Sequence, residues 1–296
     1  MTMETWGDRN QMPITPITEA FAAEFSGVDL TQPVADDVIA AIEAGMDRYA
    51  VLVFRDQSLT DDTQRAFTRR LGPLEVATGG HVTATQDRRL PLDMQDASNL
   101  DQHQRPLARD DRRRMFNLGN RLWHSDSSFR AVTAKYSLLS GRIVVTHGGR
   151  TEFADMRAAY DALDDATKAE VEDLVCEHSL MFSRGTLGFT ELSAAERTMF
   201  EPVRHRLVRI HPVTGRKSLF LSAHAGAVVG WPVPEARAFL RDLHEHATRR
   251  QFVYSHGWRR NDLVIWDNRV TMHRVTRFDE AQIRDMRRTT VAGLAA

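Results

Sequence analysis

Apolar residues recur along this chain at two different periods. Val38, Ile39, Ile42 and Met46 fall at helical spacing and predict a helix over 35–48. The unbroken apolar run Ala50-Val51-Leu52-Val53-Phe54 follows and reads as a short buried strand. Thr60, with Asp61 and Asp62 behind it, marks a second helix start, because a hydroxyl can cap the free amides and early acids suit the positive end. That helix runs to about Leu71, where Gly72-Pro73 stops it. From 121 onward strand-like segments dominate, at 134–145, 150–154, 207–211, 217–222, 262–267 and 286–292. Helical patterns interrupt them only near 155–175 and 233–249. Many short strands, with helices early and in insertions, predict a mainly β fold: a closed or sandwiched antiparallel sheet with helices packed outside.

Residues 1–12 are polar and read as a tail, leaving 13–296 as a single domain. Residues 76–118 carry no strong periodicity. A stretch this long in a compact domain is either a substrate lid or binding loop, or a surface insertion. The run Arg112–Arg114 is interrupted upstream by Asp110 and Asp111 and reads as solvated surface rather than a nucleic-acid patch.

Composition narrows the function classes. With 39 basic and 40 acidic side chains and a net charge of −1, nothing favours nucleic acid or an anionic membrane as partner. Cys176 is the one cysteine, so an intrachain disulfide and a thiolate metal cluster are both excluded. That usage fits a reducing compartment, and a cytoplasmic location is expected. No stretch of about 18 apolar residues is present to cross a membrane, and no apolar signal core is seen near the N-terminus. Homo-oligomerisation is left open.

The candidate chemistry lies in two segments, Trp-His-Ser-Asp at 123–126 and Trp-Asp-Asn-Arg-Val-Thr-Met-His at 266–273. A strand over 122–130 would place His124 and Asp126 on one face. With His273 they make two imidazoles and a carboxylate, a set that suits non-haem Fe(II) with an open face for a cosubstrate and O₂. Arg284 and Arg288 follow His273 by eleven and fifteen residues, and their even separation puts them on one strand face. Arg287 would face the other way, toward the surface. A 2-oxo acid needs an anchor for its far carboxylate, and the planar fork of Arg284 can bind one bidentately, with the Thr151 hydroxyl beside it. Trp123 and Trp266 read as cavity walls or core. His244 and His246 flank Glu245, lie about 200° apart on a helix, and are expected at the surface. No His-Glu-X-X-His, Gly-X-Ser-X-Gly or phosphate-binding glycine motif occurs.

The chain resembles the TauD/TfdA family of Fe(II)/2-oxoglutarate dioxygenases. The likeness rests on Leu-Trp-His-Ser-Asp-Ser-Ser-Phe (122–129), the run from Gly148 to Leu163, Trp-Asp-Asn-Arg…His (266–273), and Arg-Asp-Met-Arg-Arg-Thr-Thr-Val-Ala-Gly (284–293). Phe116-Asn-Leu-Gly119 and Glu177–Gly185 bring it nearest to the TfdA-like aryloxyacetate dioxygenases of alpha-type, rhizobial kind. The resemblance implies a double-stranded β-helix, a jelly-roll of the cupin kind. It implies His124, Asp126 and His273 as Fe(II) ligands, and Thr151 and Arg284 on the C5 carboxylate of 2-oxoglutarate. Arg288 would reach the C1 carboxylate and the substrate anion. Asn120, His81, Thr83, Ser127 and Arg105 would face the substrate. A lysine in the relatives takes the places of Thr83 and Arg105.

The reaction so implied couples decarboxylation of 2-oxoglutarate by O₂, to succinate and CO₂, with hydroxylation of a small aromatic carboxylate. The leading candidate is a phenoxyacetate such as 2,4-dichlorophenoxyacetate, which would yield a phenol and glyoxylate. The same machinery could act on an alkylsulfonate, a sulfate ester or a cinnamate-like acid. A non-catalytic binding protein on the same barrel is disfavoured by the complete ligand set, and a hydrolytic zinc enzyme by the arginine pair.

Overall fold

The computed structural model describes residues 14–77, 83 and 85–293. Helix α1 (Asp36–Tyr49) forms where expected and buries Ile39, Ile42 and Met46. It ends at Ala50, whose left-handed backbone (φ 59°) turns the chain within one residue into strand β3 (Val51–Phe54). Helix α2 (Asp61–Leu71) is capped by Thr60, and Thr63 returns the bond from the third position, a reciprocal box made without the usual glutamate.

β3 lies inside a seven-stranded sheet. Its order is β1 (Ile14–Pro16), β2 (Ala23–Phe25), β3, β13 (Leu263–Asp267), β5 (Ala134–Ile143), β15 (Asp285–Ala292) and β4 (Gln95–Asp96). Every pairing is antiparallel except β2 with β3. A three-stranded sheet, β12 (Val253–His256), β6 (Thr151–Asp155) and β14 (Thr271–Val275), faces it. Between the two sit Val264, Leu139, Met286, Phe153 and Trp266, the last two with ring centroids 5.4 Å apart. This sandwich is the double-stranded β-helix. On the outer face of the large sheet, Leu52, Phe54, Leu138 and Ile265 pack against Ile42 and Met46 of α1 and Phe67 of α2. A further core joins the helices Met156–Asp161 and Val233–Ala247 to the sheet β11 (Ala225–Val228), β7 (Val175–His178) and β8 (Val203–Arg206).

The departures from expectation have local causes. The helix expected over 155–175 is two helices, because Asp155 caps one at Met156 and Asp164 caps another at Asp165. Strands β7, β8, β11, β12 and β14 have four or five residues each, too few for a period to show. His244 is half-buried rather than on the surface, and His246 meets the carbonyl of Ala159 at 2.9 Å. Arg287 faces away from the inner core as expected, yet it is not free surface: it grips Asp61 and Asp285. The Arg112–Arg114 run is likewise not a solvated stretch. Its members pair with Glu196, Asp111 and Glu280. Among the described residues no helix is long and apolar enough to cross a membrane.

Gln64 of α2 is fully buried and clamps the helix to the sheet. Its amide donates to the carbonyls of Leu138 and Arg287, and its oxygen accepts from Ser140 and Arg142. Gln64→Leu keeps the volume and orphans those groups, so urea denaturation should show a loss of about 2 kcal/mol with an unchanged slope.

His178 stacks on Phe220, His205 meets both rings edge-on, and neither ring nitrogen of His178 finds a partner among the described residues. Burial, with Arg209 nearby, lowers the pKa of both, His205 to about 4; His244 adds to the effect on His178. The unfolded chain takes up these protons near pH 6.5 and the folded chain does not. Stability should therefore be full above about pH 6.5 and fall as the pH drops toward 4. The double variant His178→Phe, His205→Phe should show a shallower decline in denaturation midpoint between pH 6.5 and 5.

Candidate active site

Two distant segments meet at a single antiparallel bridge. The amide of His124 donates to the carbonyl of His273 at 3.0 Å, and the amide of His273 donates back at 2.8 Å. Beyond His124 the chain does not continue as the expected strand. It turns over Asp126–Phe129, with Ser127 left-handed at φ 56°. Asp126 thus reaches the side of His124 by a turn, not by strand alternation. The turn is held by Asn268, whose side-chain oxygen accepts from the Asp126 amide at 3.2 Å and from Trp266 Nε1 at 3.0 Å. Asn268 Nδ2 donates to Ser137 Oγ, which donates in turn to Asp126 Oδ2 at 2.7 Å.

One donor atom from each of His124, Asp126 and His273 falls within 4.8 Å of the others, and all three residues are buried. His124 Nε2 stands 3.8 Å from Asp126 Oδ1, and His273 Nε2 stands 3.7 Å from Asp126 Oδ2. His124 Nδ1 contacts the Leu122 carbonyl at 2.8 Å, which places the proton there and turns the Nε2 lone pair toward the aspartate. Burial lowers the pKa of both imidazoles and keeps them neutral. Burial alone would raise the Asp126 carboxyl, but the Arg288 guanidinium, helped by the hydrogen bond from Ser137, outweighs it and holds the group below the usual carboxylate range. Neutral imidazoles and an ionised carboxylate converging in a dry pocket fit a divalent metal of the Fe(II) kind.

His124 and His273 line an open cleft of about 760 Å³, mouth and adjoining solvent included, and Asp126 lines the recess beside it. On one side Thr151 and Arg284 line the cleft together. Trp258 Nε1 donates to Thr151 Oγ1 at 3.0 Å, which leaves the hydroxyl proton for a ligand oxygen. Arg284 donates to the Ala97 carbonyl at 3.0 Å and lies over the Phe278 ring, and burial lowers its pKa to about 10. It remains a cation suited to an incoming carboxylate. Arg284 stands one residue before β15 and Arg288 within it, and both line the cavity although a bulge falls between Asp285 and Met286. Arg288 Nη1 donates to Asp126 Oδ1 at 2.6 Å, and its Nε is buried without a partner.

The remaining candidates divide. Asn120 lines the cavity, and Ser127 lines an adjoining recess while donating to Glu75. Trp266 is a cavity wall, 1% exposed, with its ring 4.6 Å from that of His273. Trp123 is not. It alternates with His124, packs against the core of the Met156–Asp161 and Val233–Ala247 helices, as the core reading has it, and lies under Arg274 at 4.6 Å. Thr83 lines a separate recess bounded by Asp87, Arg88 and Asp96. Arg105 is exposed and paired with Asp101, so the structure does not bring it to the site. His81 lies outside the described residues. Sequence reasoning missed Asn268, although it sits inside the 266–273 segment, and it missed Arg114, Arg121 and Glu280 at the mouth. It also missed Arg184 and His224.

Comparison with known proteins agrees with this site. The pattern of the family described as "Taurine catabolism dioxygenase TauD, TfdA family" matches residues 13–290. The chain is 46% identical, over 93% of its length and 96% of the relative's, to the alpha-ketoglutarate-dependent 2,4-dichlorophenoxyacetate dioxygenase of Cupriavidus pinatubonensis. It is 38% identical, over 95% and 94%, to the (S)-phenoxypropionate/alpha-ketoglutarate-dioxygenase of Sphingobium herbicidovorans. A crystal structure described as AAD-2 in complex with Mn(II) and N-oxalylglycine superimposes with a TM-score of 0.93 at 58% identity, covering 96% of this chain and 98% of that one. Together with the buried two-histidine, one-carboxylate cluster, these likenesses show that the chain belongs to the TauD/TfdA family of Fe(II)- and 2-oxoglutarate-dependent dioxygenases.

Proposed function

We propose that this enzyme hydroxylates an aryloxyacetate, with 2,4-dichlorophenoxyacetate the leading candidate, and releases the phenol and glyoxylate. The observation that carries the reading is the likeness, over nearly the whole of each chain, to dioxygenases named for aryloxyalkanoates. The cytoplasm is the proposed location, and 13–296 the proposed extent of the domain. Bound at His124, Asp126 and His273, Fe(II) with 2-oxoglutarate and O₂ supplies an oxidation that leaves one oxygen atom in succinate and inserts the other into a substrate C–H bond.

The chain's own residues position the reactants. Arg284 and Thr151 hold the distal carboxylate of 2-oxoglutarate, and the fork of the guanidinium fixes its orientation. Arg288 holds Asp126 ionised and would present positive charge to the oxo acid's other carboxylate. Trp266, Leu139 and Ala97 wall the site and exclude water. Described parts of 76–118, among them Ser98, Leu107 and Asn117, form the outer wall, where ring substituents would be felt. The hydroxylated carbon of an aryloxyacetate is a hemiacetal. Its bond to the aryl oxygen breaks as the hydroxyl proton passes to that oxygen, giving phenol and glyoxylate in equal amounts.

Three outcomes test this. Protein, Fe(II), ascorbate and 2-oxoglutarate should form succinate in step with phenol when 2,4-dichlorophenoxyacetate is added. Succinate released by alkylsulfonates, sulfate esters or cinnamates, and by no aryloxyacetate, would overturn the substrate. Arg284→Gln removes a charge-assisted pair, so half-saturation by 2-oxoglutarate should rise about 10- to 100-fold while that for the aryl acid holds. Asp126→Asn keeps the shape and removes the charge. Iron content after dialysis should fall more than about tenfold, beyond what loss of an outer partner costs.

A further inference from the structure

Glu75 is a carboxylate that the proposed reaction has not used, and its side chain is only 10% exposed. It follows α2 by four residues, and its backbone is fastened to β15. Its amide donates to the Thr290 carbonyl at 2.9 Å, and Leu74 beside it bridges Val291. Thr290 lies two residues past Arg288, so Glu75 is moored to the strand whose arginine grips Asp126.

From that mooring the carboxylate reaches the turn that presents the metal ligand. Ser127 Oγ donates to Glu75 Oε1 at 2.5 Å, and Arg130 Nη1 pairs with the same oxygen at 3.2 Å. The Arg130 amide donates to the Ser127 carbonyl at 2.9 Å and closes the turn. Ser127 needs such a hold. Its φ of 56° is left-handed, a backbone that a residue with a Cβ adopts only at a cost. Asp126 is its neighbour in the chain, so relaxation at 127 would swing that carboxylate away from His124 and His273. Asn268 holds the Asp126 amide and Ser137 holds its Oδ2, but these bonds stop at residue 126. The next residue, where the strain sits, is secured by Glu75.

We infer that Glu75 is a positioning residue for the metal: through Ser127 it locks the turn that presents Asp126, and so sets how tightly the site holds a divalent ion. This rests on the reading of His124, Asp126 and His273 as the ligands. It gives a left-handed serine a purpose beside a ligand, since the strained backbone is what brings Asp126 round to the imidazoles. It also takes Ser127 from the substrate, because the hydroxyl is spent on Glu75.

The test is titration of Mn(II) into metal-stripped protein, with free Mn(II) counted by its EPR signal and the melting temperature of each variant measured beside it. Glu75→Ala should bind Mn(II) about tenfold more weakly, the loss usual for a partner that stands behind a ligand. Glu75→Gln should fall in between, because its amide oxygen still accepts from Ser127. Ser127→Ala keeps the strained backbone and loses the bond, so it should match Glu75→Ala. Ser127→Gly loses the same bond, yet glycine adopts this φ freely, and it should hold Mn(II) more tightly than Ser127→Ala. A lowered melting temperature with unchanged Mn(II) affinity would make Glu75 a prop of the fold alone and overturn the inference. Equal losses in the two Ser127 variants would overturn it too. If Glu75→Ala does not fold, the Ser127 pair decides. Asp126→Asn binding Mn(II) as wild type does would overturn the ligand reading itself.

Discussion

The burial of one ionised carboxylate organises this molecule. Asp126 is 4% exposed, and a charge so placed needs partners from several directions at once. Ser137 reaches it from β5, Arg288 from β15, and Asn268 fixes its backbone from the turn after β13. The His124–His273 bridge then sets two imidazoles on its remaining side. Each partner comes from a different strand or turn of the sandwich. The geometry of the site is thus the geometry of the assembled sheets, and none of it exists in any one segment of chain.

That dependence explains what could be read from the sequence. α1, α2 and the long strands carry enough residues for a period to show, and the structure has them within a residue or two. The ligand triad was legible because its residue types and its offsets to Arg284 and Arg288 are chemically specific. The route by which Asp126 arrives was not, since a left-handed serine and a distant asparagine replace the strand that alternation predicts. Trp123 shows the same limit from the other side. Its place beside a ligand fits cavity wall or core, and one step along an extended backbone from His124 puts it in the core.

Arg105 and Arg184 make an instructive pair. Both are arginines in segments with no clear period. One spends its charge on a neighbouring aspartate at the surface, and the other is enclosed. Only the packing of Gly119 and Phe116 distinguishes them, and the glycine carries no chemistry that a sequence pattern would flag.

The interior also holds an internal conflict. Arg184 and Arg284 are both buried and both pushed down toward about 10; among the described residues neither has a carboxylate within ion-pair distance, and Glu280 acts on Arg284 only from further off. Replacing either by an apolar residue of similar size would relieve that burden, much as buried ion pairs can yield to hydrocarbon. A search for hardier variants by heat alone would therefore be drawn to these two positions, and would trade recognition for robustness.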